Sequence, residues 1–288
     1  MDFALVVLLH ILYAIASLTL ISVGLAVIFG MMRVINFAHG EFLMMGGYAF
    51  VLSANAGLNL WLAMMIVAPA TVAAFGIVVE RLIIRHLYGR IIETVLATWG
   101  LSLFLIGLAA SIFGYVPRSV APPFGSLSIG LYREGGYTFF VIAVALVVVT
   151  GTYCFLRFSR FGLFARATMQ KPHMAASLGV DTDRIYAITF GIGAALSGLA
   201  GAVLAPIAGV VPIVGGTYIA KSFITVIAGG ATALAGTTAS AVLLGTVNQL
   251  AANVWTPVIG EVALLSAAVI LLRLLPEGIT GRYFRGGL

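Results

Sequence analysis

Charge is what this sequence has least of. Only 8% of its 288 residues are Asp, Glu, Lys or Arg, while 62% are hydrophobic and the mean hydropathy is +1.16. Soluble domains carry about 25% charged residues, so one aqueous core cannot hide this much apolar surface and lipid must solvate most of it. Cysteine is nearly missing too. The lone Cys154 excludes an internal disulfide framework or a thiolate metal site and, near a predicted helix end, is expected to be a small packing residue. HExxH, GxSxG and a pair of intramembrane aspartates are all absent, which removes the constellations of membrane proteases. The run ending in Lys221-Ser222 lacks the glycine before its lysine and is no phosphate loop. A net charge of +6 does not point to nucleic acid here, because the basic residues stand singly between apolar runs. The longest stretch that is not apolar, 157–184, is too short for a nucleotide-binding domain, so chemical energy has to come from another chain or an ion gradient.

What is present is a series of membrane-length runs. A bilayer core about 30 Å thick needs roughly 20 apolar residues. Ala4–Gly30, Leu60–Val79, Ile91–Phe113, Tyr137–Leu156, Ile185–Ala208, Ala231–Leu250 and Pro257–Leu275 meet that length. Glu41–Ala54 and Tyr218–Ala228 are shorter and read as half-helices or re-entrant pieces. The pattern predicts an all-α polytopic membrane protein of about eight or nine transmembrane or re-entrant helices, one transmembrane domain over 1–288 with a cytoplasmic loop at about 157–184. Ala4–Gly30 is too long for a signal-peptide core and lacks a basic segment before it, so it is expected to be a retained span. The basic groups Arg81, Arg85 and Arg90, then Arg157, Arg160, Arg166, Lys171 and Arg184, then Arg273, Arg282 and Arg285, are expected on the cytoplasmic side. Gly114–Gly136, with three of the nine prolines, is expected to be an extended external connection, which puts the N-terminus outside.

Four features carry candidate function. Ile35–Phe42 (INFAHGEF) places Asn36, His39 and Glu41 at the end of an apolar span, with Gly40 allowing the backbone to break. A lone polar or ionised group at hydrocarbon depth costs on the order of 2–3 kcal/mol, so such groups usually line water or pair with one another. The plainer alternative is an interfacial turn with Glu41 suiting a helix N-terminus. Thr94, Thr98 and Ser102 recur every four residues, a hydroxyl stripe that is either helix-to-helix glue or pathway lining. The run Gly209–Gly216 before Tyr218–Ala228, with the break at Gly40, gives each half of the chain one interrupted apolar segment, the pattern that marks midplane substrate sites in transporters. Finally, Met174, Ala175, Ala176, Ser177 and Leu178 form a short apolar stretch stopped by Gly179, after which Asp181 or Thr182 can cap a helix beginning near Ile185. That stretch is either a docking helix or an ordinary interfacial one.

The stretches VINFAHGEFLMMGGYAF, LYGRIIETVLATWGLSL and RATMQKPHMAASLGVDTDRIYAITFGIGAALSGLAGAV resemble the permease subunits of bacterial ATP-binding cassette importers for branched-chain amino acids, urea and short amides. The likeness covers nearly the whole chain. It implies an inner-membrane permease that works with a second, homologous permease, two cytoplasmic ATPase subunits and a periplasmic solute-binding protein. No cofactor is implied in this chain, ATP and Mg being used by the partner ATPases. The resemblance assigns Met174–Gly179 to the segment that couples to the ATPase. Importer permeases often carry a glutamate before the two alanines and a glycine four residues after them. Here Met174 precedes Ala175, and Gly179 follows Ala176 by three, so the loop's general role carries over and individual contacts do not. Asn36, His39, Gly40, Glu41, Thr94, Thr98 and Ser102 are the pathway candidates. The cargo stays open between branched-chain amino acids and urea or short amides. A secondary carrier or channel, with His39 and Glu41 coupling protons, is a further reading. So is an assembly factor whose polar residues are all satisfied inside packed helices.

Overall fold

The computed structural model describes residues 2–130, 132–230 and 232–281; Arg282 and Arg285 of the basic tail lie outside them. The helices, in order, are α1 (Asp2–Met32), α2 (His39–Asn55), α3 (Leu60–Leu62), α4 (Ala68–Leu82), α5 (Ile91–Phe113), α6 (Gly136–Phe158), α7 (Arg160–Gln170), α8 (Pro172–Ser177), α9 (Thr182–Ala208), α10 (Val214–Gly229), α11 (Ala233–Val254), α12 (Pro257–Leu274) and α13 (Gly278–Gly281). A π turn at Ala63–Val67 joins α3 to α4. It sits just before Pro69, whose ring would otherwise press on a carbonyl of the preceding turn.

Among the described residues, six helical segments are long and apolar enough to cross a bilayer, or seven if α10 and α11, bent by 114° at their break, count as one span. This is fewer than the expected eight or nine. The expected segments are helical, with α11 starting at Ala233 and Ala231 lying outside the described residues, but α2 has only 17 residues, about 25 Å at 1.5 Å each, and α11 is diluted by Thr237, Thr238, Ser240, Thr246, Asn248 and Gln249.

One compact unit comprises Val23–Val120 and Thr150–Ala220. Its centre is α9, whose most apolar window is 72% buried, against 39% or less in the other spans. The face of α9 is lined with small residues, and this is what lets neighbours approach closely. A methyl on Gly46 of α2 would overlap the backbone of Gly198 on α9, and one on Gly198 would lie 2.8 Å from Val72 of α4. The aromatic centre is Phe42 of α2, edge-on to Phe75 of α4 (5.8 Å) and Phe190 of α9 (6.0 Å). Beyond α5 and α9, Arg118 and Val210 exchange backbone hydrogen bonds of 3.0 and 2.8 Å. α5 buries only Thr94, Thr98, Ser102, Leu105 and Ala109, a single stripe at spacings of three or four that is polar over its first three members. Cys154, expected to pack, is instead exposed on α6.

The other unit comprises Met1–Ser22, Ala121–Val149 and Lys221–Leu288. Its α11 and α12 pack together. Ser222 Oγ donates to the Ile21 carbonyl at 2.9 Å, and Thr280 Oγ1 donates to the Gly229 carbonyl at 2.7 Å, tying α13 to the end of α10. The connection expected to be merely extended contains an antiparallel hairpin, β1 (Ser126–Ile129) on β2 (Tyr132–Gly135), with Ser128 opposite Arg133. Gly130, at φ +58, supplies the left-handed turn. His10 Nε2 lies 3.2 Å from Glu134 of the hairpin.

Candidate functional site

The polar residues singled out in Ile35–Phe42 occupy a re-entrant turn. α1 ends at Met32, Arg33 takes a left-handed φ of +53, and the chain runs back along α5 before α2 starts at His39. An extended backbone has unsatisfied N–H and C=O groups, and in lipid these need partners from within the protein. The hydroxyl stripe supplies them. Thr98 Oγ1 accepts the Phe37 N–H at 3.1 Å while donating to the Thr94 carbonyl at 2.8 Å. Thr94 Oγ1 donates to the Arg90 carbonyl at 2.7 Å. Asn36 Oδ1 accepts the Ala38 N–H at 3.0 Å, an Asx-type turn that sets up the first turn of α2.

Around the start of α2 the side chains converge. His39 Nδ1 is 3.3 Å from Ser197 Oγ of α9, and Ser197 donates to the Gly193 carbonyl, which leaves it an acceptor towards the ring. Ser102 of α5 donates to the Glu41 carboxylate. Asn36, His39 and Glu41 are all fully enclosed. Two of their atoms, Asn36 Nδ2 and Glu41 Oε2, are buried without a hydrogen-bond partner. Such groups are rare in native interiors and each is expensive to leave unpaired.

The two interrupted segments meet here. α10 begins at Val214, and a methyl on Gly40 would overlap the Gly215 carbonyl. A methyl on Gly215 would lie 2.8 Å from Glu41 Oε1 and from the Gly40 carbonyl carbon. Two helix N-termini, each the positive end of its dipole, therefore abut through glycine backbone with one carboxylate beside them. Ser197 faces His39 and Gly201 faces Leu43, so α9 lies against the start of α2. A cavity of about 290 Å³, lined by Met31, Arg33, Ile35, Arg90, Thr94 and Tyr186 among others, reaches the lower end of the stripe but stops short of Asn36, His39 and Glu41.

Sequence reading brought together Asn36, His39, Gly40, Glu41 and the stripe, and the structure places them in one cluster. It missed Ser197. The signal available was a hydroxyl in a run otherwise made of Gly, Ala and Leu, in which a polar side chain has few places to go.

The loop 157–184 holds two helices. Ser159 caps α7 by accepting the Gly162 N–H at 3.0 Å. Pro172 opens α8, where its missing N–H costs nothing. Gly179, at φ +85, closes α8 in the left-handed conformation, with the Val180 N–H returning to the Ala175 carbonyl at 3.1 Å. The short helix thus spans Pro172–Ser177 rather than Met174–Leu178, and Leu178 caps it. Ala175 is buried, whereas Met174 is 59% and Leu178 83% exposed. Asp181 caps α9, which starts at Thr182, three residues earlier than expected. Two contacts tie the start of α9 to the loop after α4: Arg85 Nη2 pairs with Asp183 at 2.6 Å, and the Tyr88 ring lies 4.7 Å from that of Tyr186. Tyr88 also donates to the buried Glu80 at 2.5 Å. Burial first, and the Glu80 hydrogen bond second, hold the Tyr88 hydroxyl above its ordinary range.

Comparison with known proteins places this geometry in a family. The profile described as "Branched-chain amino acid transport system / permease component" matches residues 7–275. The high-affinity branched-chain amino acid transport system permease protein LivH of Salmonella typhimurium is 29% identical over 288 residues, covering 93% of this chain and 92% of its own. LivH of Escherichia coli is 29% identical over 286 residues with the same coverage. The high-affinity branched-chain amino acid transport system permease protein BraD of Pseudomonas aeruginosa is 31% identical over 286 residues, again covering 93% and 92%. No solved structure matches the chain with significance. With its apolar spans, these relatives make it a multi-pass protein of the bacterial inner membrane. Matched over almost its whole length, the chain belongs to the family of branched-chain amino acid transport system permease components.

Proposed function

We infer that this chain is the membrane-spanning permease subunit of an ATP-binding cassette importer that carries branched-chain amino acids inward by alternating access. Residues 1–288 act as one permease domain, with 157–184 on the cytoplasmic side. A second, homologous permease completes the pathway, a periplasmic binding protein delivers the cargo, and two ATPase subunits use ATP and Mg on the cytoplasmic face. The observation that carries the coupling role is Leu178, 83% exposed at the end of a short helix outside the spans that connects through 179–181 to α9, the most buried span. A large aliphatic group left outside the core is what a docking surface requires. A displacement of α8 would reach α9 directly and α4 through Arg85–Asp183 and Tyr88–Glu80. Asn36, His39, Gly40, Glu41, Thr94, Thr98 and Ser102 would line or gate the path, opened when the abutting starts of α2 and α10 part.

The test is purification from native membranes in mild detergent. Two ATPase subunits and a second permease should co-purify, and the periplasmic partner should bind leucine in preference to urea and acetamide. A permease that purifies alone, and whose uptake of leucine survives deletion of the ATPases, overturns the reading.

A further inference from the structure

We propose that the joined starts of α2 and α10 form the head-group site for a zwitterionic amino acid, with Glu41 accepting from the α-ammonium and Asn36 and the two helix N-termini donating to the α-carboxylate. This deepens the reading above and rests on it.

Three observations support it. First, Glu41 is enclosed, yet the ion pairs among the described residues, His10–Glu134, Arg85–Asp183 and Lys221–Glu261, do not include it. Its carboxylate is met by the neutral Ser102 hydroxyl and by its own backbone N–H, and its Oε2 has no hydrogen-bond partner. A buried carboxylate with an open oxygen is built to meet a cation. Urea and acetamide, being neutral, cannot supply one, whereas an amino acid's ammonium can.

Second, the opposite charge of the same cargo is provided for. The Asn36 amide nitrogen is a buried donor with no acceptor, and the N-termini of α2 and α10 both begin within this contact. A helix N-terminus is the positive end of its dipole and attracts carboxylates. The zwitterion's two charges sit on neighbouring groups, and so do its expected partners, since Asn36 and Glu41 flank the start of one helix.

Third, the contact is built to part. Gly40 and Gly215 meet backbone to backbone, without interlocked side chains, and the missing side chain of Gly215 leaves the space in which Glu41 Oε1 rests. Separating the two helix starts would open Glu41 and Asn36 together.

The experiment measures equilibrium binding of L-leucine and of 4-methylpentanoate, the same skeleton without the amine, to the purified permease assembled with its ATPases. The wild type is expected to favour leucine by at least tenfold, and Glu41→Gln to bring the ratio close to one by weakening leucine alone. Glu41→Asp, which keeps the charge, should retain part of the preference. Should Glu41→Gln fail to assemble, Ser102→Ala carries the same readout: releasing the carboxylate from its hydrogen bond should move the ratio at least threefold. A wild type without preference, or a ratio unmoved in these variants, overturns the proposal. ATP-driven leucine uptake by the complete wild-type importer would still stand in that case, whereas its absence would instead sink the importer reading.

Discussion

Replacing Leu178 by alanine isolates docking from folding. In the chain by itself Leu178 is 83% exposed and caps α8 only through its backbone, so truncating it should change permease stability by no more than about 0.5 kcal/mol. If an ATPase covers it, the side chain goes from nearly full exposure to burial, and a buried leucine is worth about 1.5–3 kcal/mol. Taking about 2 kcal/mol, and about 1.4 kcal/mol per tenfold in affinity, the variant should bind its ATPases roughly 30-fold more weakly. The assay is titration of the purified ATPase subunits against detergent-solubilised permease, beside a thermal melt of the permease alone. Binding within threefold of wild type would refute the reasoning, as would a melt that falls as far as binding does, because Leu178 would then belong to the fold.

Three further outcomes follow from packing and hydrogen bonding. Gly46→Ala forces a methyl into the Gly198 backbone and should cost about 1–3 kcal/mol by overpacking. Gly107→Ala, with nothing near its added Cβ, should be neutral or stabilising by up to about 1 kcal/mol; equal melting shifts for the two would contradict the α2–α9 contact. Thr98→Val keeps the shape but removes the hydroxyl that accepts the Phe37 N–H, at about 1–3 kcal/mol, and should lower both the melting midpoint and leucine uptake. Tyr88→Phe leaves buried Glu80 without its donor and should destabilise by a similar amount. Because the folded protein holds the Tyr88 proton more tightly than the unfolded chain does, that contribution is complete below about pH 10 and is lost as pH rises beyond it. A melt that falls between pH 7 and 9 in wild type, but not in Tyr88→Phe, would contradict this.

Much of this architecture is written along the chain. Runs of membrane length locate α1, α4, α5, α6, α9 and α12, and the four-residue rhythm of Thr94, Thr98 and Ser102 marks the buried stripe of α5. The two interruptions could be read as a pair because glycine and proline punctuate helices, but the first lies at 33–38, not at Gly40, which sits in the first turn of α2 because its missing side chain lets the Gly215 backbone come close. What periodicity does not encode is which distant residues meet. Ser197 lies 158 positions from His39, and Arg85 lies 98 from Asp183. Neither spacing leaves a trace in one sequence. The hairpin was hidden for another reason: its two four-residue strands lie within a proline-bearing connection, and so short an alternation cannot be told from loop. Enclosure of the Asn36, His39 and Glu41 cluster was likewise invisible, since composition says that a polar group must find water or a partner but not which.

The most direct measurement is leucine accumulation in vesicles that hold the permease, its homologous partner and the ATPases, with the binding protein supplied on the outside. Accumulation is expected only with hydrolysable ATP on the side that carries Leu178, and unchanged when the proton gradient is collapsed. Uptake that persists without ATP and follows the proton gradient would contradict it.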